Sequence, residues 1–219
     1  MAVAKFKVKE PRLHTISEYL ERERESLERS EYIDGVTYEM ADESGAHADI
    51  SVNLVRELSL QLKGTECRVR TKETKVKSGG QSRNTGSSTK GMFSYPDLLV
   101  VCGEVKYHDK HKDIILNPKV VLEVLSKSTE IFDRNDKFTR YKMFNETLSD
   151  YLLISQDKPM IEHFIRQNDN SWRVFTYIGL SEVCRIKSIK CSLALAEVYD
   201  RVEFSQQIYK FLKDVANRK

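Results

Sequence analysis

Two short apolar runs decide which folds are open to this chain. "YPDLLVVC" (95–102) and "PKVVLEVLS" (118–126) are continuous rather than alternating, and each is too short for a core helix. A strand with one wet face alternates apolar and polar residues, so runs of this kind read as strands covered on both faces. Two covered strands require helices on either side of a sheet, which is the α/β class. Pro96 and Pro118 fall at the strand starts, where a missing N–H does least harm to the ladder. Each run also carries an acid, Asp97 at the mouth of the first and Glu123 inside the second. A carboxylate in such a strand is costly unless it is paired, protonated or bound to a cation.

The remaining elements are legible from caps and spacing. Thr15 followed by Glu18 has capping-box spacing and predicts a helix to about Leu27. "YIDGVTYEM" predicts two strands around an Asp-Gly turn. Ile50, Leu54, Leu58 and Leu62 recur at i+4 steps, so "HADISVNLVRELSLQLKG" predicts an amphipathic helix closed by Gly64. "CRVRTKETKV" alternates Cys67, Val69 and Thr71 with Arg68, Arg70 and Lys72, as a half-buried strand does. Asp133 is positioned to cap a helix through "RNDKFTRYKMFNE", with Phe138, Tyr141, Met143 and Phe144 as its apolar side. "DYLLIS", "IEHFIR" and "WRVFTYI" predict three further strands. The order implies a mixed central β-sheet flanked by α-helices, in one domain over 1–219. That domain has an N-terminal extension (1–12), a Gly/Ser/Thr-rich flexible loop (78–92) and a helical tail (203–219).

Composition removes several classes of function. No run approaches the roughly 18 apolar residues of a membrane helix, and the start of the chain has no long apolar segment, so no membrane association is expected. Cys67, Cys102, Cys184 and Cys191 show no paired spacing and read as free thiols of a cytoplasmic protein. "HDKH" (108–111) lacks a convincing third ligand for zinc, and no motif for an organic cofactor occurs. Charge is unevenly spread. Glu18 to Glu43 holds ten acids against three arginines, whereas Gln61 to Lys90 holds eight bases against two acids. The basic block suits a polyanion, or equally a solvated strand whose lysines discourage edge pairing.

Two carboxylates from neighbouring strands can converge on one point, and hard oxygen donors of that kind suit Mg²⁺. The alternative is that Asp97 caps a strand start while Glu123 meets an arginine such as Arg140. Beyond the two acids, an ordered set of motifs runs along the chain: "EYIDGVTYEM" (31–40), His47 opening a helix, "YPDLLV" (95–100), "EVLSKST" (123–129), then Asp133, Lys137 and Tyr141. The set resembles the PD-(D/E)XK nuclease superfamily and, within it, the Uma-type putative restriction endonuclease family, over roughly residues 13 to 200. The resemblance implies a restriction-endonuclease-like fold and a Mg²⁺-dependent endonuclease acting on DNA, with Mn²⁺ as a substitute. It implies that Asp97, Glu123 and the carbonyl of Val124 hold the metal, and that Glu31 is a third acid nearby. His47 then touches the scissile phosphate or orients Glu31.

One departure matters. The superfamily's lysine is expected two residues after Glu123, where this chain has Leu125. In the Uma-type family the basic role moves to the next helix, and Lys137 stands at that place. Asp133, Lys137 and Tyr141 share one helical face at i, i+4, i+8. Arg68, Arg70, Lys72, Lys75 and Lys77 are expected to track the DNA backbone, and double-strand cleavage by so small a domain implies a homodimer. Two other readings stay open at this point: a DNA-binding module that has lost catalysis, and a structural protein whose inner acids pair with Arg140 or Lys142.

Overall fold

The two apolar runs lie side by side and antiparallel, with Leu98 across from Leu122, Leu99 from Val121 and Val100 from Val120. They belong to a computed structural model that describes residues 8–10, 12–40, 43–79 and 88–216. In chain order its first half comprises β1 (Val8–Glu10), α1 (Ile16–Glu25), β2 (Ser30–Ile33), β3 (Val36–Glu39), α2 (Gly45–Gln61), β4 (Cys67–Thr71), β5 (Lys75–Ser78), β6 (Met92–Ser94), β7 (Leu98–Cys102), β8 (Ile114–Ile115) and β9 (Val120–Leu125). A helical stretch follows, made of α3 (Glu130–Phe132), a π-helical segment (Asp133–Lys137) and α4 (Phe138–Phe144). The remainder is β10 (Asp150–Ser155), β11 (Met160–Arg166), β12 (Trp172–Ile178), β13 (Val183–Ile186), β14 (Cys191–Ala194), α5 (Leu195–Val198) and α6 (Gln206–Ala216).

The expected mixed sheet has the order β12-β11-β10-β9-β7-β4. β9 and β10 run parallel, which demands a crossover, and the helical stretch after β9 supplies it. Side chains alternate across the sheet. Leu98, Val100, Leu122 and Val124 face α2, whose Ile50, Leu54 and Leu58 are fully buried against them. Each such side chain contributes about 1.5–3 kcal/mol by leaving water. On the other face Leu99, Val101, Val121 and Leu125 meet Phe138, Tyr141 and Tyr151. Glu123 has the parity of Val121 and Leu125, and Asp97 that of Leu99 and Val101. Both acids therefore look toward the helical stretch that carries Lys137.

A second six-stranded sheet, β1-β3-β2-β6-β5-β8, packs Tyr32, Phe93 and Ile114 against Ile16, Tyr19 and Leu20 of α1. Its β2–β3 hairpin turns at Asp34 (φ 47°) and Gly35 (φ 99°), the positive φ pair that an Asp-Gly turn permits. The Thr15–Glu18 capping box forms as expected. β13 and β14 make a separate hairpin. No helix among the described residues is long and apolar enough to cross a membrane.

Several expectations need correction. Cys67 and Cys102 face each other across the β4–β7 ladder and form a disulfide, leaving Cys184 and Cys191 as buried free thiols. Asp133 does not cap a helix: helical backbone begins at Glu130, and Asp133 is buried in the π-helical segment that follows. Phe138 and Tyr141 are buried, but Met143 and Phe144 are exposed, so the apolar side is narrower than expected. α1 ends at Glu25, short of Leu27, which is fully exposed. The expected flexible loop lies partly outside the described residues. Its far end is tied down, with Ser88 accepting from the Ile16 N–H, Thr89 from the Tyr32 hydroxyl, and Gly91 from the Asp34 N–H.

Candidate active site

Asp97 enters the site because the ladder places it there. Extending the β7–β9 register by one residue sets it across from Glu123, and its Oδ2 accepts a 2.7 Å hydrogen bond from the Val124 N–H. A strand residue sends its N–H and C=O toward the same neighbour, so the Val124 carbonyl is directed to this rim as well. Glu31, on β2 of the second sheet, accepts from the Tyr95 N–H at 2.9 Å, two residues before Asp97. The site thus lies at the seam between the two sheets.

Lys137 projects from the π-helical segment into the middle of the acids. Its Nζ lies 3.0 Å from Glu123 Oε1, 3.4 Å from Glu31 Oε1 and 3.4 Å from Asp133 Oδ1. All four side chains are buried, Lys137 at 4% exposure and Glu123 at 2%. π-helical turns within α-helices recur at functional sites, and this one carries both Asp133 and Lys137. The floor is closed by Tyr141, whose hydroxyl is 2.9 Å from Ser94 Oγ, and the Tyr151 hydroxyl donates to the Asp133 carbonyl at 2.9 Å.

The charges do not balance. Glu31, Asp97, Glu123 and Asp133 converge with one ammonium among them, and at an effective dielectric of about 20 each unit pair near 4 Å is worth about 4 kcal/mol. Burial pushes the Glu123 carboxyl well above the usual carboxylate range. Lys137 pulls it back, and Asp133 and Asp97 push it further up. Burial likewise lifts Asp133, against the pull of Lys137, to about 6. For Lys137 burial works downward, but Glu123, Glu31 and Asp133 outweigh it and hold the amine well above its ordinary value. Lys137 is therefore an ammonium at neutral pH.

A divalent cation fits this donor set. Glu123 Oε1 is sealed from solvent and faces the Lys137 ammonium at 3.0 Å, a single cation shared with Glu31 and Asp133. Added positive charge would relieve the like-charge crowding, and hard carboxylate oxygens suit Mg²⁺ and Mn²⁺. The acids line a cavity of about 750 Å³, together with Ser126, Lys127 and Thr129.

His47 sits in the first turn of α2, whose N-cap Ser44 accepts the His47 N–H at 3.1 Å. Its Nε2 is 3.3 Å from Asp97 Oδ2 and its Nδ1 is 3.8 Å from Glu43 Oε1. The ring thus addresses Asp97 and Glu43 rather than Glu31, which was one of its two expected partners beside the scissile phosphate. Burial pushes the imidazole down, Asp97 and Glu43 push it up, and the net direction is up.

Leu125, at the position of the superfamily's usual lysine, is buried in the core, and the amine beside the acids comes from Lys137. Arg140 does not meet the inner acids: it pairs with Asp34 at 2.5 Å. Lys142 lies over the Phe138 ring at 5.5 Å. The continuous basic strand also fails to form, because a turn at Thr71–Thr74 sends β4 and β5 into different sheets. Arg68 and Arg70 remain on edge strand β4, and Lys72 pairs with Glu43. Lys75 is buried against Tyr95 Oη (3.0 Å) and Asp113 (3.3 Å), out of reach of any polyanion, and Lys77 lies half-buried over Phe93. Sequence reasoning missed Glu43 and Gln156. Glu43 was signalled by its i, i+4 spacing to His47. Gln156 had no signal: its amide joins the Leu125 carbonyl (2.8 Å) to the Ser44 hydroxyl (2.5 Å) across the chain.

Known proteins resemble this chain in sequence and in fold. The Uma2 family model, described as "Putative restriction endonuclease", matches residues 16–195. The uncharacterized protein slr1290 of Synechocystis sp. is 34% identical over 187 residues, spanning 85% of this chain and 92% of its own length. The uncharacterized protein sll1609 of the same organism is 30% identical over 165 residues, 75% of this chain and 88% of its own. A crystal structure described as a putative nuclease belonging to DUF820, from Anabaena variabilis, superposes with a TM-score of 0.68. It covers 87% of this chain and 99% of its own at 16% identity, which speaks to the fold.

Proposed function

The chain belongs to the Uma2 family of putative restriction endonucleases, and from that premise we propose that it is a divalent-metal-dependent endonuclease hydrolysing DNA phosphodiester bonds. The observation that carries the reading is the convergence of Asp97, Glu123 and Lys137 on one face of the sheet, with Lys137 Nζ 3.0 Å from Glu123. Asp97, Glu123 and the Val124 carbonyl hold Mg²⁺ or Mn²⁺. When bound, the cation supplies Lewis-acid neutralisation of charge on the scissile phosphate.

The chain's own groups do the rest. Lys137, kept as an ammonium by its acidic neighbours, is a donor and not a general base. It orients the attacking water and donates to the oxygens on which negative charge develops. Glu31 positions Lys137 from one side, and its second anchor on the Tyr95 N–H fixes it relative to Asp97. His47 steadies Asp97. Arg68, Arg70 and Lys72 contact the backbone of the duplex, which makes binding sensitive to salt and largely blind to sequence. Two copies act together for double-strand cleavage.

The test is nicking of supercoiled plasmid in Mg²⁺ or Mn²⁺ over a range of ionic strengths. Asp97→Ala and Lys137→Ala should each lower the rate by about 10²-fold or more, the scale of losing one transition-state electrostatic group. Unchanged cleavage in both variants would remove the assigned roles. No nicking by the parent under any of these conditions would remove the enzyme.

A further inference from the structure

The mixed sheet ends at β4 on one side and at β12 on the other. The two edges are guarded differently. β4 carries Arg68 and Arg70, charges that discourage a further strand. β12 runs for seven residues, Trp172–Ile178, with Arg173 as its one charge and neither proline nor glycine. Val174 and Phe175 are 48% and 42% exposed, and Arg173 and Thr176 are exposed beside them. The backbone is open as well. At the ends of the β11–β12 ladder the Gln167 N–H donates to the Ser171 carbonyl (2.8 Å) and the Gly179 N–H to the Pro159 carbonyl (2.9 Å). The odd-numbered residues of β12 therefore exchange bonds with β11. Trp172, Val174, Thr176 and Ile178 turn their N–H and C=O groups away from the sheet, and among the described residues no backbone group meets those of Val174 or Thr176. A long, apolar, unpaired edge is a template for another strand.

We propose that β12 pairs antiparallel with β12 of a second copy of this chain, joining two mixed sheets into one across a twofold axis. The strand is complementary to its own reverse. An axis at Phe175 pairs Trp172 with Ile178, Arg173 with Tyr177, Val174 with Thr176, and Phe175 with its counterpart. The outward-turned backbone groups of the two copies then bond to one another. Phe175 falls at a non-hydrogen-bonded position, where side chains approach most closely and an aromatic pair stabilises. Arg173 meets an aromatic ring. Any other axis leaves part of the strand unpaired, and one at Arg173 sets like charges opposite each other. The inference goes beyond the catalytic reading and does not rest on it.

Sedimentation velocity on the full chain tests the pairing, with circular dichroism to confirm that each variant is folded. The parent should be a dimer at about 100 µM, well above a micromolar Kd. Phe175→Glu and Phe175→Lys each set like charges across the axis and should weaken association about tenfold or more. An equimolar mixture of the two should dimerise again, since opposite charges then face each other. Thr176→Pro removes an outward N–H that β11 does not use, a place where an edge strand tolerates proline, and should fold as a monomer. A parent that stays monomeric at that concentration overturns the proposal and leaves the edge to some other extended chain. Dimers that persist in the Phe175 and Thr176 variants overturn it by placing the interface elsewhere, and a mixture that does not recover overturns it as well. A monomer that nicks plasmid sinks the dimer alone, and a dimer that cuts nothing sinks the nuclease reading alone.

Discussion

Lys137→Met replaces an ammonium with a side chain of similar length and no charge. The lost group lies 3.0–3.4 Å from Glu123, Glu31 and Asp133, all buried. Removing one partner of a buried ion pair costs about 3–5 kcal/mol. For a chain of this size 1 kcal/mol moves Tm by roughly 2–4 °C, so the midpoint should fall by roughly 6–20 °C. The deficit should shrink toward acid pH. Asp133, already pushed up to about 6, and Glu123, also raised, hold more protons in the folded state than in the unfolded one. Stability contributed through them falls as pH rises through that window and returns as pH is lowered. Glu123→Gln in the Lys137→Met background should recover part of the loss, since it removes one charge left without a partner, with a coupling of about 0.5–3 kcal/mol. Urea unfolding in EDTA at pH 7.5 and 5.5 measures all of this. A Lys137→Met protein within about 1 kcal/mol of the parent at pH 7.5, well below the buried-pair range, would refute the reasoning. So would a double variant less stable than Lys137→Met alone.

Other outcomes follow from groups outside the site. Burial works to raise the Asp113 carboxyl, but Arg24 and Lys75 outweigh it and draw it down to about 2 from 3.8. A depressed carboxylate stabilises above its unfolded value and loses that contribution as pH falls through the folded value. Asp113→Asn should therefore cost about 1 kcal/mol at pH 7 after discounting for solvent screening, with the gap to the parent closing between pH 4 and pH 2 in urea titrations. Reducing the Cys67–Cys102 disulfide, which closes 35 residues of chain, should cost about 3–4 kcal/mol in the chain-entropy account. Denaturation with and without reductant reads it, and a Cys67→Ser/Cys102→Ser protein as stable as the oxidised parent would contradict it.

The two inner acids were legible because each interrupts an apolar run, and period-2 alternation was enough to face them the same way. Lys137 was not legible from its own surroundings, where an i, i+4 partner on a polar helix looks like a surface pair. The family resemblance singled it out, and the structure puts it beside Glu123. Asp133 misled because an acid before a helical pattern reads as a cap. The helix in fact starts earlier, at Glu130, and takes a π turn that no local propensity announces. The disulfide and the split of the basic stretch both depend on which strands pair. Pairing is a long-range property: β4 joins β7, and β5 joins β6 and β8. The β13–β14 hairpin escaped notice since its turn uses Lys190 at φ 55°, with no glycine or asparagine to mark it.

The proposed reaction depends on a cation that Asp97 and Glu123 would hold together. The direct measurement is an anomalous-difference map from a crystal soaked in Mn²⁺, with a Glu123→Gln crystal beside it. The account predicts a peak in contact with both carboxylates in the parent, and its loss in the variant. A parent map with no density between residues 97 and 123, or a peak there unchanged in Glu123→Gln, would contradict it.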